Sequence, residues 1–301
     1  MSMTTKEASA QQMFFQCLRA FGQQDRDAAL QAIQKAVQLC PEHILFQMAE
    51  RYLSGLLANE TGNVYETGEA FGAFIRGGGN VALYQKTTEA LRSVYASSPV
   101  SRLLDIGVGD GKALLPSLPQ DVEHVDVLEP STPMLNVVEK ALSERSVSFR
   151  SWNSTLEVFA CESHDSWDLA QATFSLQSIQ PDARREQLSW LSQHCKRFVI
   201  VEFDVPDFDE MFSEERMSYV LERYKLGLQE YTDHRELVGF GFLLPVMFGY
   251  FDPTQNRTNY EQSMHQWRRE VEEAGFSVTQ AKHISPYWWA PAFLLEATAS
   301  S

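Results

Sequence analysis

Residues 103 to 112, Leu-Leu-Asp-Ile-Gly-Val-Gly-Asp-Gly-Lys, constrain the fold of this 301-residue chain more than any other stretch. Arg102 to Ile106 is a short apolar run that carries one acid, Asp105, and reads as a buried strand. Gly107, Gly109 and Gly111 follow at alternate positions, where the backbone can turn sharply and approach a ligand with no Cβ in the way. Strand, glycine loop and helix in that order make a nucleoside cradle at the carboxyl end of a parallel strand. The Gly-x-Gly-x-x-Gly spacing of dinucleotide folds is absent, because Lys112-Ala113-Leu114 follow the third glycine. Val125-Asp126-Val127-Leu128-Glu129 reads as a second strand ending in an acid, about twenty residues downstream, the separation at which a carboxylate meets ribose hydroxyls.

Acid-x-Gly-x-Gly-x-Gly followed by that distal acid resembles the signature of the class I S-adenosylmethionine (SAM) dependent methyltransferases. The likeness in pattern covers residues 99 to 205 and 271 to 299. It implies an α/β fold: a doubly wound, mostly parallel, seven-stranded Rossmann-like sheet. Val147-Ser148-Phe149-Arg150 resembles the third strand, Trp167 to Ala172 the fourth, Arg197 to Phe203 the fifth, and Gly275 to Val278 with Phe293 to Thr298 the closing hairpin. The resemblance also implies SAM as cofactor, held by Asp105, Gly107, Gly109, Gly111, Glu129, Pro130, Met134, Asn153, Ser154 and Thr173. Asn153 stands where the family usually carries an acid that reads the adenine amine, and an amide oxygen can accept from the same group. The segment after the fourth strand lacks the Asn/Asp-Pro-Pro-aromatic pattern of enzymes that methylate base or glutamine amines.

A net charge of -15 and the lack of any Lys/Arg cluster disfavour nucleic acid as a partner. The amino terminus has no signal-peptide core. The longest uncharged run, Leu237 to Phe251, is broken by Pro245 and too short to span a bilayer, so a cytoplasmic protein without membrane contact is expected. Cys17, Cys40, Cys161 and Cys195 are scattered as reduced thiols would be, and the seven histidines show no ligand spacing, so no metal is expected. The assembly state stays open, a homodimer included.

Residues 1 to 98 read as a helical N-terminal lid and 99 to 301 as the SAM-binding core, with a cap insertion at 206 to 265. Thr4-x-x-Glu7 is a capping-box pattern ahead of a first helix (Met13, Phe14, Cys17, Leu18, Phe21). Leu30, Ile33 and Val37 mark a second, and Pro41 opens a third through Ile44, Leu45, Met48 and Tyr52. Gly77-Gly78-Gly79 is either a hinge that brings Tyr65 and Arg76 to the methionine end of SAM, or a linker with Asn80 capping the next helix. The insertion pairs a charged helix, Phe212 to Tyr231, with an aromatic stretch, Phe240 to Tyr260, suited to a pocket or to a core.

Methyl transfer from a sulfonium is an in-line displacement, which needs alignment in a dry site more than it needs a catalytic triad. Asp204, just past the fifth strand, is the candidate proton acceptor, with a loop acid capping the insertion helix as its other reading. Phe174, Gln177, Tyr250, Asp252, Arg257, Tyr287 and Trp288 are the candidate contacts to a small-molecule acceptor. Tyr287 and Trp288 read equally as a packed hairpin corner. The expected function is methyl transfer to oxygen or nitrogen of a small molecule, a natural-product intermediate of secondary metabolism being one such acceptor. Two alternatives stand beside it. One is a SAM-consuming cyclase or aminocarboxypropyl-type enzyme that forms azetidine-2-carboxylate and releases methylthioadenosine; the other is a non-catalytic SAM-binding partner subunit.

Overall fold

The computed structural model describes residues 5–58, 68–145 and 147–300. They fall into two compact units, Met1–Val81 with Phe208–Arg257, and Ala82–Asp207 with Thr258–Ser301. Thr4 and Tyr65 lie outside the described residues.

The first unit is helical: α1 (Thr5–Gly22), α2 (Arg26–Leu39), α3 (Ile44–Leu57) and α4 (Gly68–Arg76). Its second segment adds α5 (Glu214–Glu230), α6 (Arg235–Val238), a π-helical turn (Gly239–Leu243) and α7 (Leu244–Tyr250). Its core is aromatic, with Phe14 against Phe46 (5.7 Å) and Phe248 between Phe21 (4.6 Å) and Tyr52 (5.4 Å). Asp25 caps α2 by accepting from Ala28 N at 2.9 Å. Pro41 does not open α3; it sits in the turn before it, and His43 precedes the first helical residue. The glycine run is a close-packed joint. A Cβ on Gly78 (φ +51°) would lie 2.7 Å from the Tyr231 ring, Gly79 N donates to Glu230 Oε2 at 2.8 Å, and Asn80 Nδ2 donates to Phe74 O at 2.9 Å.

The second unit carries the sheet. It comprises α8 (Asn80–Ser97, its first turn in the other unit), β1 (Arg102–Ile106), α9 (Leu114–Ser117), β2 (His124–Leu128), α10 (Thr132–Ser143), β3 (Ser148–Trp152), α11 (Leu156–Glu162) and β4 (Trp167–Thr173). A 3-10 turn (Leu176–Ser178), α12 (Pro181–His194), β5 (Cys195–Phe203), α13 (Met264–Glu273), β6 (Phe276–Ser285) and β7 (Ala292–Ala299) complete it. The strand order is β3-β2-β1-β4-β5-β7-β6, with β1 to β5 parallel and β7 antiparallel to both β5 and β6. Strand residues alternate between two buried layers, as a sheet with helices on both faces requires. Leu104, Ile106, Ala170, Phe198 and Ile200 pack on Phe159, Leu188 and Trp267. Leu103, Leu169, Val199 and Val201 pack on Leu91, Val94, Leu135 and Val138. The boundary expected at residue 98 therefore falls at Val81, because Leu91, Val94 and Tyr95 of α8 belong to the sheet's own core. The insertion that leaves the sheet unit is 208 to 257, narrower than expected, since Tyr260 N donates to Gln177 O at 2.7 Å within the sheet unit.

Candidate functional site

The carboxyl ends of the parallel strands are where open α/β sheets bind ligands, and the glycine loop lies there, after β1. Its three glycines all have positive φ, +68°, +57° and +78°, for different reasons. A Cβ on Gly107 would sit 2.4 Å from Ser175 Cβ, and one on Gly111 would sit 2.7 Å from Leu115 Cδ1 and 3.2 Å from Val138 Cγ2. These two positions are small because protein packs against them. A Cβ on Gly109 would meet nothing within 4 Å, so its absence serves open space.

Glu129 ties that loop down. Its Oε2 accepts from Gly109 N (2.9 Å) and its Oε1 from Ser131 N (2.8 Å), which leaves further lone pairs on both oxygens. A carboxylate thus occupies the backbone N–H that a phosphate-binding loop would offer to its ligand, and an anion there would be repelled. Asp105, 1% exposed, accepts from Gln171 Nε2 at 2.7 Å, and Gln171 in turn accepts from the Tyr95 hydroxyl. Asp105 Oδ1 is buried with no partner among the described residues. Burial pushes its pKa up to about 7; the Gln171 bond opposes this and the Glu129 charge adds to it. A cationic or donor-rich ligand beside the loop would satisfy that oxygen.

Asn153 bridges the loop after β2. Its Nδ2 donates to Glu129 O and Pro130 O, both at 3.0 Å, and its Oδ1 accepts from Thr132 Oγ1 at 2.7 Å. The two carbonyls fix the orientation of the amide. Pro130 is exposed, Met134 and Ser154 are partly buried, and Thr173 ends β4. Arg76, Tyr250, Asp252 and Arg257 belong to the helical unit. Asp252 is committed there: Oδ1 accepts from Gln24 Nε2 (2.8 Å) and Thr254 Oγ1 (2.7 Å), and Oδ2 pairs with Arg26 at 3.3 Å. Arg76 closes α4, where a Cβ on Gly72 would lie 2.7 Å from its Nη2.

Asp204 is engaged on both oxygens. Oδ1 accepts from Met264 N (2.7 Å) at the start of α13, and Oδ2 lies 2.7 Å from His283 Nε2. The helix it meets is α13, not the insertion helix expected for its capping reading, whose N-cap is Ser213. Glu202, the neighbouring acid, is fully buried. Its Oε1 accepts from Gln177 N at 3.2 Å, and burial raises its pKa to about 8. Phe174, Phe203 and Tyr287 form a row of rings at the same sheet edge, with Trp288 beyond at 5.6 Å.

Sequence reasoning missed Gln171, Tyr95, Phe203 and the His283 partnership. A glutamine within the apolar run of β4 was the one available signal, because a polar side chain in a doubly covered strand demands a buried partner.

Among the described residues no three His, Cys, Asp or Glu side chains gather as a metal site, and no helix is long and apolar enough to cross a membrane. No protein-family model matches the sequence, and no curated protein matches it in sequence. Solved structures do match in fold. An O-methyltransferase family protein from Burkholderia thailandensis superposes with a TM-score of 0.50 at 12% identity, covering 94% of this chain and 64% of that one. The mitomycin 7-O-methyltransferase MmcR gives 0.48 at 14%, covering 92% and 71%. Magnesium protoporphyrin IX methyltransferase from Synechocystis PCC 6803, solved with bound SAM, gives 0.47 at 14%, covering 73% and 81%. The chain, with its seven-stranded, mostly parallel sheet, shares the Rossmann-like α/β fold of these methyltransferase structures.

Proposed function

We propose that the chain binds SAM at the β1 loop and transfers its methyl group to an oxygen or nitrogen of a small molecule. The observation that carries this reading is the Glu129 carboxylate bound to Gly109 N beside open space at Gly109. That pairing suits ribose hydroxyls and repels the pyrophosphate of a dinucleotide. SAM supplies an activated methyl: the acceptor's lone pair forms the new bond to carbon, the carbon–sulfur bond breaks, its electrons stay on sulfur, and the acceptor's proton leaves to solvent. The residues' part is to hold and to orient. Glu129 would take the ribose hydroxyls, the Asp105 oxygen without a partner would take a donor of the cationic ligand, and the segment around Asn153 would border the base.

Incubation of the purified protein with SAM and a cell extract, followed by mass spectrometry of nucleoside and acceptor, tests the reading. S-adenosylhomocysteine should appear together with an acceptor heavier by one methyl group. Acceptor-independent release of methylthioadenosine above the rate in buffer would refute it, and so would affinity for NADH without affinity for SAM.

A further inference from the structure

We propose that the acceptor is a planar, electron-rich aromatic molecule that lies face-down across the edges of the ring row Phe174–Phe203–Tyr287. This inference rests on the methyltransferase reading and narrows it. The three residues come from three places at one edge of the sheet unit: the end of β4, the end of β5 and the turn before β7. Phe203 stacks on Phe174 at 4.7 Å and 25°, and on Tyr287 at 5.2 Å and 17°. Both ring partners meet Phe203 nearly parallel and Phe203 stays only partly buried, so we take its edge as the surface left to a ligand. Tyr84 continues the row beyond Phe174 at 6.1 Å, edge to face.

Two features set this row apart from ordinary packing. Phe174 has φ +54°, a left-handed conformation that a bulky residue adopts only at a cost. Strict alternation after Ala172 would send its ring to the layer of Ile106 and Ile200. The left-handed turn instead packs it against the layer of Leu103, Val199 and Val201, the side on which Asp105 meets Gln171 and Tyr95. Phe174 and Tyr287, like Phe203, remain only partly buried at the strand ends, where a fold of this kind takes its ligands. Ring edges carry the positive part of the aromatic quadrupole, so a row of edges attracts the electron-rich face of a flat molecule and has no such attraction for a saturated one.

The test is calorimetric titration of the full chain with 2-naphthol and with its saturated counterpart 2-decalol, each with and without S-adenosylhomocysteine. 2-Naphthol should bind at least about tenfold tighter than 2-decalol, and Phe203→Leu and Tyr287→Leu should each weaken naphthol about three- to tenfold, the scale of one edge-to-face contact. S-adenosylhomocysteine affinity in the variants should stay within about twofold of wild type, which also certifies their fold. Equal affinity for the two alcohols, or naphthol binding untouched by both substitutions, overturns the proposal while leaving the cofactor reading intact. Ring-dependent naphthol binding in a protein that ignores S-adenosylhomocysteine overturns the cofactor reading alone.

Discussion

Gly107, Gly109 and Gly111 share a left-handed backbone but not a neighbourhood, so alanine at each position separates strain, packing and ligand contact. At Gly109 (φ +57°) the new Cβ meets nothing within 4 Å. Its cost is the left-handed strain of about 1–2 kcal/mol, offset by about 0.4–1 kcal/mol from the reduced freedom of the unfolded chain. The net loss is about 1 kcal/mol. At Gly111 the Cβ would lie 2.7 Å from Leu115 and 3.2 Å from Val138. Overpacking there adds about 1–3 kcal/mol, so the loss should reach about 2–4 kcal/mol. Gly107→Ala falls in the same range, because its Cβ would lie 2.4 Å from Ser175 Cβ. Urea unfolding reads the stabilities and calorimetry with S-adenosylhomocysteine reads the site. Gly109→Ala should be the most stable of the three variants yet bind at least about tenfold more weakly, since even a methyl group enters the space a ligand would use. Wild-type affinity in that variant would place the ligand elsewhere, and a stability loss equal to that of Gly111→Ala would refute the account of the open side.

Burial holds Glu202 protonated up to about pH 8 and Asp105 up to about pH 7, both above their unfolded values, so the folded state keeps protons that the unfolded chain has released. Stability should therefore fall as pH rises from about 6.5 to about 8.5. His43, lowered to about 4 mainly by burial, acts in the opposite sense and only at lower pH. Urea midpoints across this range should decline for wild type and flatten for Glu202→Gln; a flat wild-type profile contradicts the assignment. The fully buried Arg184 is bidentate to Glu270 (2.9 and 3.0 Å) and lies 4.2 Å from the Trp267 ring. Arg184→Met should cost about 3–5 kcal/mol by stranding Glu270, and adding Glu270→Leu should recover much of it. A double variant as unstable as the single one would show that the loss comes from packing rather than from the stranded charge.

What was legible in the sequence is local in the chain. The first strand was read to the residue, Arg102 to Ile106, because its apolar run ends at a glycine loop. Glu129 was legible because a parallel neighbour returns the chain to the same edge after one crossover, so sequence distance stands in for spatial distance. The contacts that define the rest of the site join residues far apart. Asp105 and Gln171 are separated by 66 positions and Asp204 and His283 by 79, and no periodicity encodes such pairs. Asp252 misled for the same reason. An acid after an aromatic stretch looks available, yet its partners Gln24 and Arg26 come from the turn before α2 and from its first residue, more than two hundred residues earlier.

Two acids at one sheet edge are held toward their neutral forms, and the alternation of the strands gives them different roles. Glu202 follows Phe198 and Ile200 onto the layer of α12 and α13, where Gln177 N and the 3-10 turn close over it. Asp105 follows Leu103 onto the opposite layer, beneath the glycine loop and in line with Gln171 and Tyr95. A cation brought to the loop would favour ionised Asp105 and draw its pKa back down, whereas Glu202, on the far side of the sheet, would feel that charge weakly. On the proposed reading the proton on Asp105 would be coupled to occupancy of the loop, whereas the proton on Glu202 is tied to the β5 edge that buries it.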